Sequence, residues 1–97
     1  MLIEIRTTEK FSEWFTGLRD RQARARIQAR IDRAELGNFG DCRPVGDGVS
    51  EMRIHYGPGY RVYFVQRGTV LVILLAGGDK DTQENDIIAA LELARQL

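Results

Sequence analysis

The sequence predicts a small α+β domain in which an N-terminal helix hairpin and a C-terminal helix accompany an antiparallel β-sheet. The first third of the chain has apolar residues at helical spacing, and residues 50–76 have the alternation and apolar runs of strands. After residue 81 the spacing becomes helical again. With 97 residues and 43% hydrophobic content, we expect one domain over residues 1–97, with the element order β-α-α-β-β-β-α.

The first elements are a short strand and two helices. Leu2, Ile3 and Ile5 predict the strand, and Thr8 is placed to cap the first helix. An aromatic and apolar stripe then follows at i, i+3, i+4, i+7 spacing, formed by Phe11, Trp14, Phe15 and Leu18. The second helix is predicted from residue 21 to residue 36, between an Asp20 cap and a terminating glycine. Its narrow apolar face consists of Ala23, Ile27, Ile31 and Ala34.

The second half is predicted to be a strand meander closed by a helix. Four breakers between residues 40 and 48 indicate a loop, with at most a short extended piece over residues 43–45. Strands follow over residues 50–56, 60–67 and 69–76, the last being an apolar run typical of a central strand. The final helix presents an apolar stripe that we expect to pack on the sheet or to dock elsewhere. The stripe is formed by Ile87, Ile88, Leu91 and Ala94.

Composition narrows the chemistry that the chain can perform. Cys42 is the only cysteine and His55 the only histidine, so neither an internal disulfide nor a zinc site is expected, and we expect no metal and no cofactor. Fourteen basic and fourteen acidic residues balance, so any attraction to nucleic acid must come from local patches. Because no signal peptide or membrane span is present in this sequence, we expect a cytoplasmic protein without a membrane partner.

Four segments, in this order and at these separations, carry a resemblance to a known family. They are LRDRQARARIQARI, GNFGD, GVSEMRIHYGPGYRVYF and LLAGGDKDTQENDI. Together they resemble the addiction-module killer proteins of the RelE/HigB-like toxin superfamily, and the resemblance covers nearly the whole chain.

The resemblance implies a function and partners. It implies the toxin of a type II toxin–antitoxin module, an endoribonuclease that cleaves messenger RNA, usually on the ribosome. It also implies neutralisation by a cognate antitoxin, which in this branch is a helix-turn-helix protein. The alternative is a non-enzymatic toxin of the ParE-like kind, which inhibits DNA gyrase by binding. A third reading is a degenerate toxin that only binds its partners, because a fold does not fix a function.

Two cations are assigned to catalysis by the resemblance. Arg61 lies in the YRVYF strand where the superfamily carries an arginine for the scissile phosphate, and its planar fork suits phosphate oxygens. Lys80 follows two glycines in the loop where related toxins hold a basic active-site residue, and these glycines would let the backbone approach a phosphate. Without the resemblance, the sequence would indicate that Arg61 is a solvated strand arginine. It would also indicate that the Lys80 loop is an ordinary turn capped by Asp79 or Asp81.

Two further candidates follow from strand alternation. The side chain of Arg53 is predicted to point away from the core and to share a face with Arg61. The alternative to a catalytic role is a structural ion pair with Glu51 or Glu35. His55 lies on the same face and has the side chain best suited to acid–base catalysis near neutrality, although a lone strand histidine is more often simply exposed. The acid–base pair of the reaction stays unassigned. Its candidates are Glu51, His55, Tyr60, Asp79, Lys80 and Gln83.

RNA binding is assigned to Arg24, Arg30 and Tyr63. The two arginines belong to a run over residues 19–33 whose excess of positive charge favours a polyanionic partner, although a solvated helix or an antitoxin-binding surface explains the run as well. Tyr63 is the aromatic residue that shares the face of Arg61 by parity. Trp14 also invites base stacking, but its helical spacing favours a place in the core.

Overall fold

The computed structural model describes residues 2–97 and has a central five-stranded sheet with helices on both faces. The strands are β1 (Glu4–Thr7), β2 (Cys42–Gly46), β3 (Val49–Ile54), β4 (Tyr60–Arg67) and β5 (Leu71–Gly78). The helices are α1 (Glu9–Thr16), α2 (Arg21–Glu35) and α3 (Gln83–Arg95), and one 3₁₀ turn, Lys80–Thr82, precedes α3. The predicted α+β class is therefore confirmed. None of the helices in residues 2–97 has the length and apolar character needed to cross a bilayer.

The sheet order is β1-β5-β4-β3-β2, which combines an antiparallel meander with one parallel edge strand. The pairs β2–β3, β3–β4 and β4–β5 are antiparallel, while β1 pairs with β5 in parallel. The short extended piece that the sequence allowed over residues 43–45 is the five-residue strand β2 in the structure. Pro44 is accommodated there because β2 is an edge strand, and the register with β3 shifts between Pro44 and Gly46.

Helix boundaries follow the predicted capping chemistry. The Thr8 hydroxyl accepts from the N–H of Phe11 at 3.1 Å, and Asp20 accepts from the N–H of Gln22 at 2.9 Å. At the end of α2, Gly37 adopts φ +91°, which favours glycine, and its N–H donates to the carbonyl of Ala34. These local signals fix where α1 and α2 begin and where α2 ends.

The sheet separates two apolar clusters. On one face α1 and α2 pack against the sheet, and the buried members of this cluster are Phe11, Ile27, Ile31, Ala34, Met52, Ile54, Val62, Phe64, Val72 and Leu74. On the other face α3 packs against the sheet, with Val49, Tyr63, Val65, Leu75, Ala76, Ala90 and Ala94 buried. Trp14 packs against the first cluster, as its spacing predicts. Along α3, Ile87 and Leu91 are half-buried on the sheet, whereas Ile88 is 59% exposed.

Candidate active site

Three predicted cations lie together at one end of β3, β4 and β5. Arg53 and Arg61 are directly opposite each other in the β3–β4 register, so their side chains leave the same face of the sheet. Gly59 lies between Arg61 and Lys80. A Cβ atom at Gly59 would be 3.4 Å from Nη1 of Arg61 and 3.6 Å from Cβ of Lys80. Strand register and the turn before β4 thus bring Arg53, Arg61 and Lys80 into one neighbourhood.

Arg61 is held by a buried carboxylate. Its Nε donates to Oε1 of Glu51 at 2.7 Å, and its Nη1 donates to the carbonyl of Gly59 at 2.8 Å. The Arg61 side chain is 13% exposed and that of Glu51 is fully buried. Gln83, at the start of α3, donates to both Glu51 oxygens at 3.1 and 3.0 Å, and Nε of Arg43 lies 3.7 Å from Glu51. These contacts fix the guanidinium and leave its Nη2 group for another partner.

Arg53 and His55 share a different carboxylate, that of Asp41. Nη2 of Arg53 donates to Oδ1 of Asp41 at 2.9 Å, and Nε2 of His55 lies 2.5 Å from Oδ2. The hydrogen bond from His55, and then that from Arg53, hold the pKa of Asp41 below its usual range. The ion pair of Arg53 with Glu51 or Glu35 that the sequence suggested is therefore replaced by one with Asp41. Nε of Arg53 is buried without a hydrogen-bond partner among residues 2–97.

Asp41 was missed by sequence reasoning, although it ends the GNFGD segment. It lies just before β2, in a stretch that was expected to be a loop, and its partners are 12 and 14 residues away in sequence. Only the pairing of β2 with β3, which places Cys42 opposite Met52, brings it beside Arg53 and His55. With Nε2 bound to Asp41, the ring of His55 is oriented and 74% of the side chain stays exposed.

The two glycines that end β5, Gly77 and Gly78, make room for neighbouring helices. A Cβ at Gly77 would overlap the indole of Trp14, and a Cβ at Gly78 would overlap the carboxylate of Asp86. The absent side chains thus admit α1 and α3 from opposite faces, and the approach of a phosphate to the two glycines stays a prediction. The Asp79 carboxylate accepts from the N–H of Asp81 at 2.9 Å, so the capped turn predicted for this loop is present.

The three residues assigned to RNA binding have other contacts in the structure. Tyr63 does share the face of Arg61, but α3 covers that face and the ring is fully buried, so its assignment as an RNA-stacking residue is corrected. Burial, and then the charge of Glu51, raise the pKa of its hydroxyl. Arg30 donates to the carbonyls of Arg53 and Phe39 at 2.5 and 3.0 Å, and Arg24 donates to that of Leu18. Both arginines are half-buried, and their contact with RNA stays a prediction.

Within residues 2–97, no group of three or more histidine, cysteine, aspartate or glutamate side chains is arranged to hold a metal ion. The titratable groups of the site are instead the Asp41–His55 pair, the Glu51–Arg61 pair and Lys80. Such an arrangement can bind a phosphate through guanidinium and ammonium groups and can exchange a proton at the exposed imidazole.

Comparison with known proteins gives the chain both a family and a fold relative. The family model described as "Phage derived protein Gp49-like" matches residues 13–97. An uncharacterized protein of Haemophilus influenzae is 52% identical over 97 residues, which covers 100% of this chain and 98% of that protein. The free-state structure of an arginine double mutant of the E. coli toxin RelE superposes with a TM-score of 0.72. It is 12% identical and covers 91% of this chain and 96% of its own.

Proposed function

Because the chain belongs to the phage-derived Gp49-like family and has the fold of the toxin RelE, we propose that it is the toxin of a toxin–antitoxin module and an endoribonuclease that cleaves translated messenger RNA in the cytoplasm. The observation that supports this most is the convergence of Arg53, Arg61 and Lys80 at one end of the sheet. A neighbouring imidazole oriented by a carboxylate adds the proton-transfer group that the reaction needs. The substrate is RNA and not DNA because only RNA supplies its own 2′-hydroxyl nucleophile.

The reaction makes and breaks one bond to phosphorus. The 2′-oxygen attacks the adjacent phosphorus, the 2′-O–P bond forms and the P–O5′ bond breaks, which gives a 2′,3′-cyclic phosphate and a 5′-hydroxyl. A base must take the proton of the 2′-hydroxyl, and an acid must protonate the leaving 5′-oxygen. Negative charge accumulates on the nonbridging oxygens of the phosphorane between these two events.

The residues divide these tasks according to their contacts. Nη2 of Arg61, which the contacts with Glu51 and Gly59 leave available, binds a nonbridging oxygen together with the ammonium of Lys80. Arg53, whose Nη2 is bound to Asp41, adds a further positive charge beside Arg61. His55, oriented by Asp41, exchanges the proton through Nδ1. The second proton-transfer group is not assigned.

The antitoxin is the partner that this function requires. We propose that it is a helix-turn-helix protein that either covers the cationic end of the sheet or displaces α3. Covering the cationic end would block access of the substrate. Displacing α3 would remove Gln83, which holds Glu51 beside Arg61. Loss of solvent access at Lys80, or release of α3 from the sheet, in a co-purified complex supports this proposal, and an accessible Lys80 beside an undisplaced α3 contradicts it.

Substitution of Arg61 tests the assignment. Arg61→Ala removes charge-assisted contacts used mainly in the transition state, so cleavage should slow by roughly 10² to 10³, about 2.7–4 kcal/mol. Arg61→Lys should recover part of the rate because it keeps the charge without the fork. The matched control is Arg67→Ala, the same change at the other end of β4. The measurement is the rate of appearance of new 5′ ends on a translated message after induction of each variant.

Two outcomes would contradict the proposal. If folded Arg61→Ala protein cleaves as fast as the parent, Arg61 has no role in the chemistry. If the parent arrests growth without new 5′ ends while DNA supercoiling fails, the toxin acts on gyrase and not on messenger RNA.

A further inference from the structure

A second cationic site lies on the opposite face of the sheet from α3. The arginine cleft, as we call it, is formed by α2 and the end of β3, and its volume is about 240 Å³. It is lined by Arg26, Ala29, Arg30, Arg33, Ile54 and His55. Three guanidinium groups and one imidazole thus converge on a single recess, and none of its six lining residues is acidic.

The guanidinium groups of the arginine cleft are held in ways that preserve their charge. Arg30 is anchored by carbonyl oxygens of Arg53, Phe39 and Asp41, at 2.5, 3.0 and 3.4 Å. These acceptors are neutral, so they orient the guanidinium without a counterion. Arg26 lies over the ring of Tyr56, with its Cζ 4.7 Å from the ring centroid, and this contact also leaves its positive charge in place.

The carboxylates near the arginine cleft have other partners. Asp20 caps α2 and accepts from the Tyr56 hydroxyl at 3.0 Å, and Asp32 accepts from Gln28 at 2.9 Å. Asp41, at the rim, is shared by Arg53 and His55. Among residues 2–97, Arg26 and Arg33 form no ion pair within 4.0 Å. In a chain of zero net charge, the arginine cleft is therefore a local concentration of uncompensated positive charge.

We infer that the arginine cleft binds a backbone phosphate of a single RNA strand, next to the phosphate that Arg61 would contact and with His55 at the boundary of the two sites; the identity of the strand as RNA rests on the proposed function. The recess is too small for a duplex, and the ring of Tyr56 beside it is covered by Arg26. Its three guanidinium groups suit contacts to phosphate, which carry no sequence information. The predicted RNA contact of Arg30 belongs here, together with Arg26 and Arg33.

Binding of an uncleavable RNA tests this site. The probe is a labelled single-stranded oligonucleotide with 2′-O-methyl riboses, which lacks the nucleophile, titrated against the whole protein at several salt concentrations. The double variant Arg26→Gln, Arg33→Gln should raise the dissociation constant on the order of tenfold. It should also reduce the slope of log affinity against log salt by about 0.7 for each phosphate that the protein no longer neutralises. The corresponding lysine variant should keep most of that slope because it keeps the charge.

The matched control is Arg19→Gln, Arg21→Gln, which removes the same charge from exposed residues outside the arginine cleft. A small effect of this control beside a large effect of the cleft variant supports the inference. Equal effects of the two double variants overturn it, since binding then reflects only the overall charge. If the cleft variant weakens binding while Arg61→Ala cleaves normally, the arginine cleft stands and the Arg61 assignment fails. If the parent neither binds nor cleaves RNA, both fail.

Discussion

Replacement of Glu51 by alanine should destabilise the protein more than any substitution of its exposed carboxylates. Glu51 is fully buried, and its removal leaves Arg61, only 13% exposed, without a counterion and leaves the Gln83 amide without its acceptor. Breaking a buried pair by removing one partner costs about 3–5 kcal/mol, and because Arg61 keeps some exposure to solvent, we expect about 3. Each kcal/mol of destabilisation should lower the Tm by about 4–8 °C in a domain of this size.

Chemical unfolding of a series of variants measures this effect and separates its causes. Glu51→Gln keeps an acceptor for Arg61 but removes the charge, so a decrease of about 1.5 kcal/mol is expected. The double variant Glu51→Leu, Arg61→Leu should be close to the parent in stability, because it removes both charges together. Glu4→Ala is the control: its exposed pair with Arg6 should contribute little. A Glu51→Ala protein within about 0.5 kcal/mol of the parent would refute this reasoning.

Three further predictions concern stability alone. Tyr63→Phe removes a buried hydroxyl that has no partner among residues 2–97, so it should raise the free energy of unfolding by about 1 kcal/mol. Gly77→Ala should lower it by about 1–3 kcal/mol through overlap with Trp14, and shortening Trp14 to leucine should recover part of that loss. The pKa of Asp41 is depressed by folding, so its stabilisation is complete above the unfolded-state value of about 3.9 and is lost as pH falls through the lower folded pKa. Asp41→Asn should therefore reduce the loss of unfolding free energy at low pH, as measured by urea titrations at a series of pH values.

A different result would contradict each of these three predictions. A Tyr63→Phe protein that loses stability would show that the hydroxyl has a partner. Equal losses from Gly77→Ala in the parent and in the Trp14→Leu background would mean that the indole does not set the cost. If Asp41→Asn leaves the loss of stability at low pH unchanged, other carboxylates cause that loss. Asp47→Asn, which changes an exposed pair with Arg95, is the matched control.

Local signals predicted the parts of the fold that depend on neighbouring residues. Thr8 and Asp20 cap their helices through side chains two or three residues away from the donors, and the bounds of β4 follow from the turn residues on either side of it. The full length of strand β2 was not predicted, because its pairing with β3 is a tertiary contact and its Pro44 is tolerated only in an edge strand. The parallel pairing of β1 with β5 joins residues 67 positions apart, which no local pattern encodes.

The same distinction explains the candidate site. Alternation correctly placed Arg53, Arg61 and Tyr63 on one face of the sheet, but it carries no information about what covers that face. Helix α3 covers the inner part of the face and buries Tyr63, while its first residue, Gln83, reaches Glu51 at the edge of the covered region. Parity therefore predicted the direction of each side chain and could not predict its burial or its counterion.

The pairing of cations with carboxylates suggests why a neutral chain needs two cationic regions to act on RNA. Arg61 and Arg53 are each bound by a carboxylate, Glu51 and Asp41, which orients their guanidinium groups but offsets part of their charge. In our proposal, the guanidinium groups at the reacting phosphate must be precisely oriented, because stabilisation of the phosphorane depends on donors that are already in place. Attraction of the strand depends on net charge, and the arginine cleft supplies it through guanidinium groups held by carbonyl oxygens. Removal of the positive charge of the arginine cleft should therefore raise KM with little change in kcat, whereas removal of the Arg61 guanidinium should lower kcat.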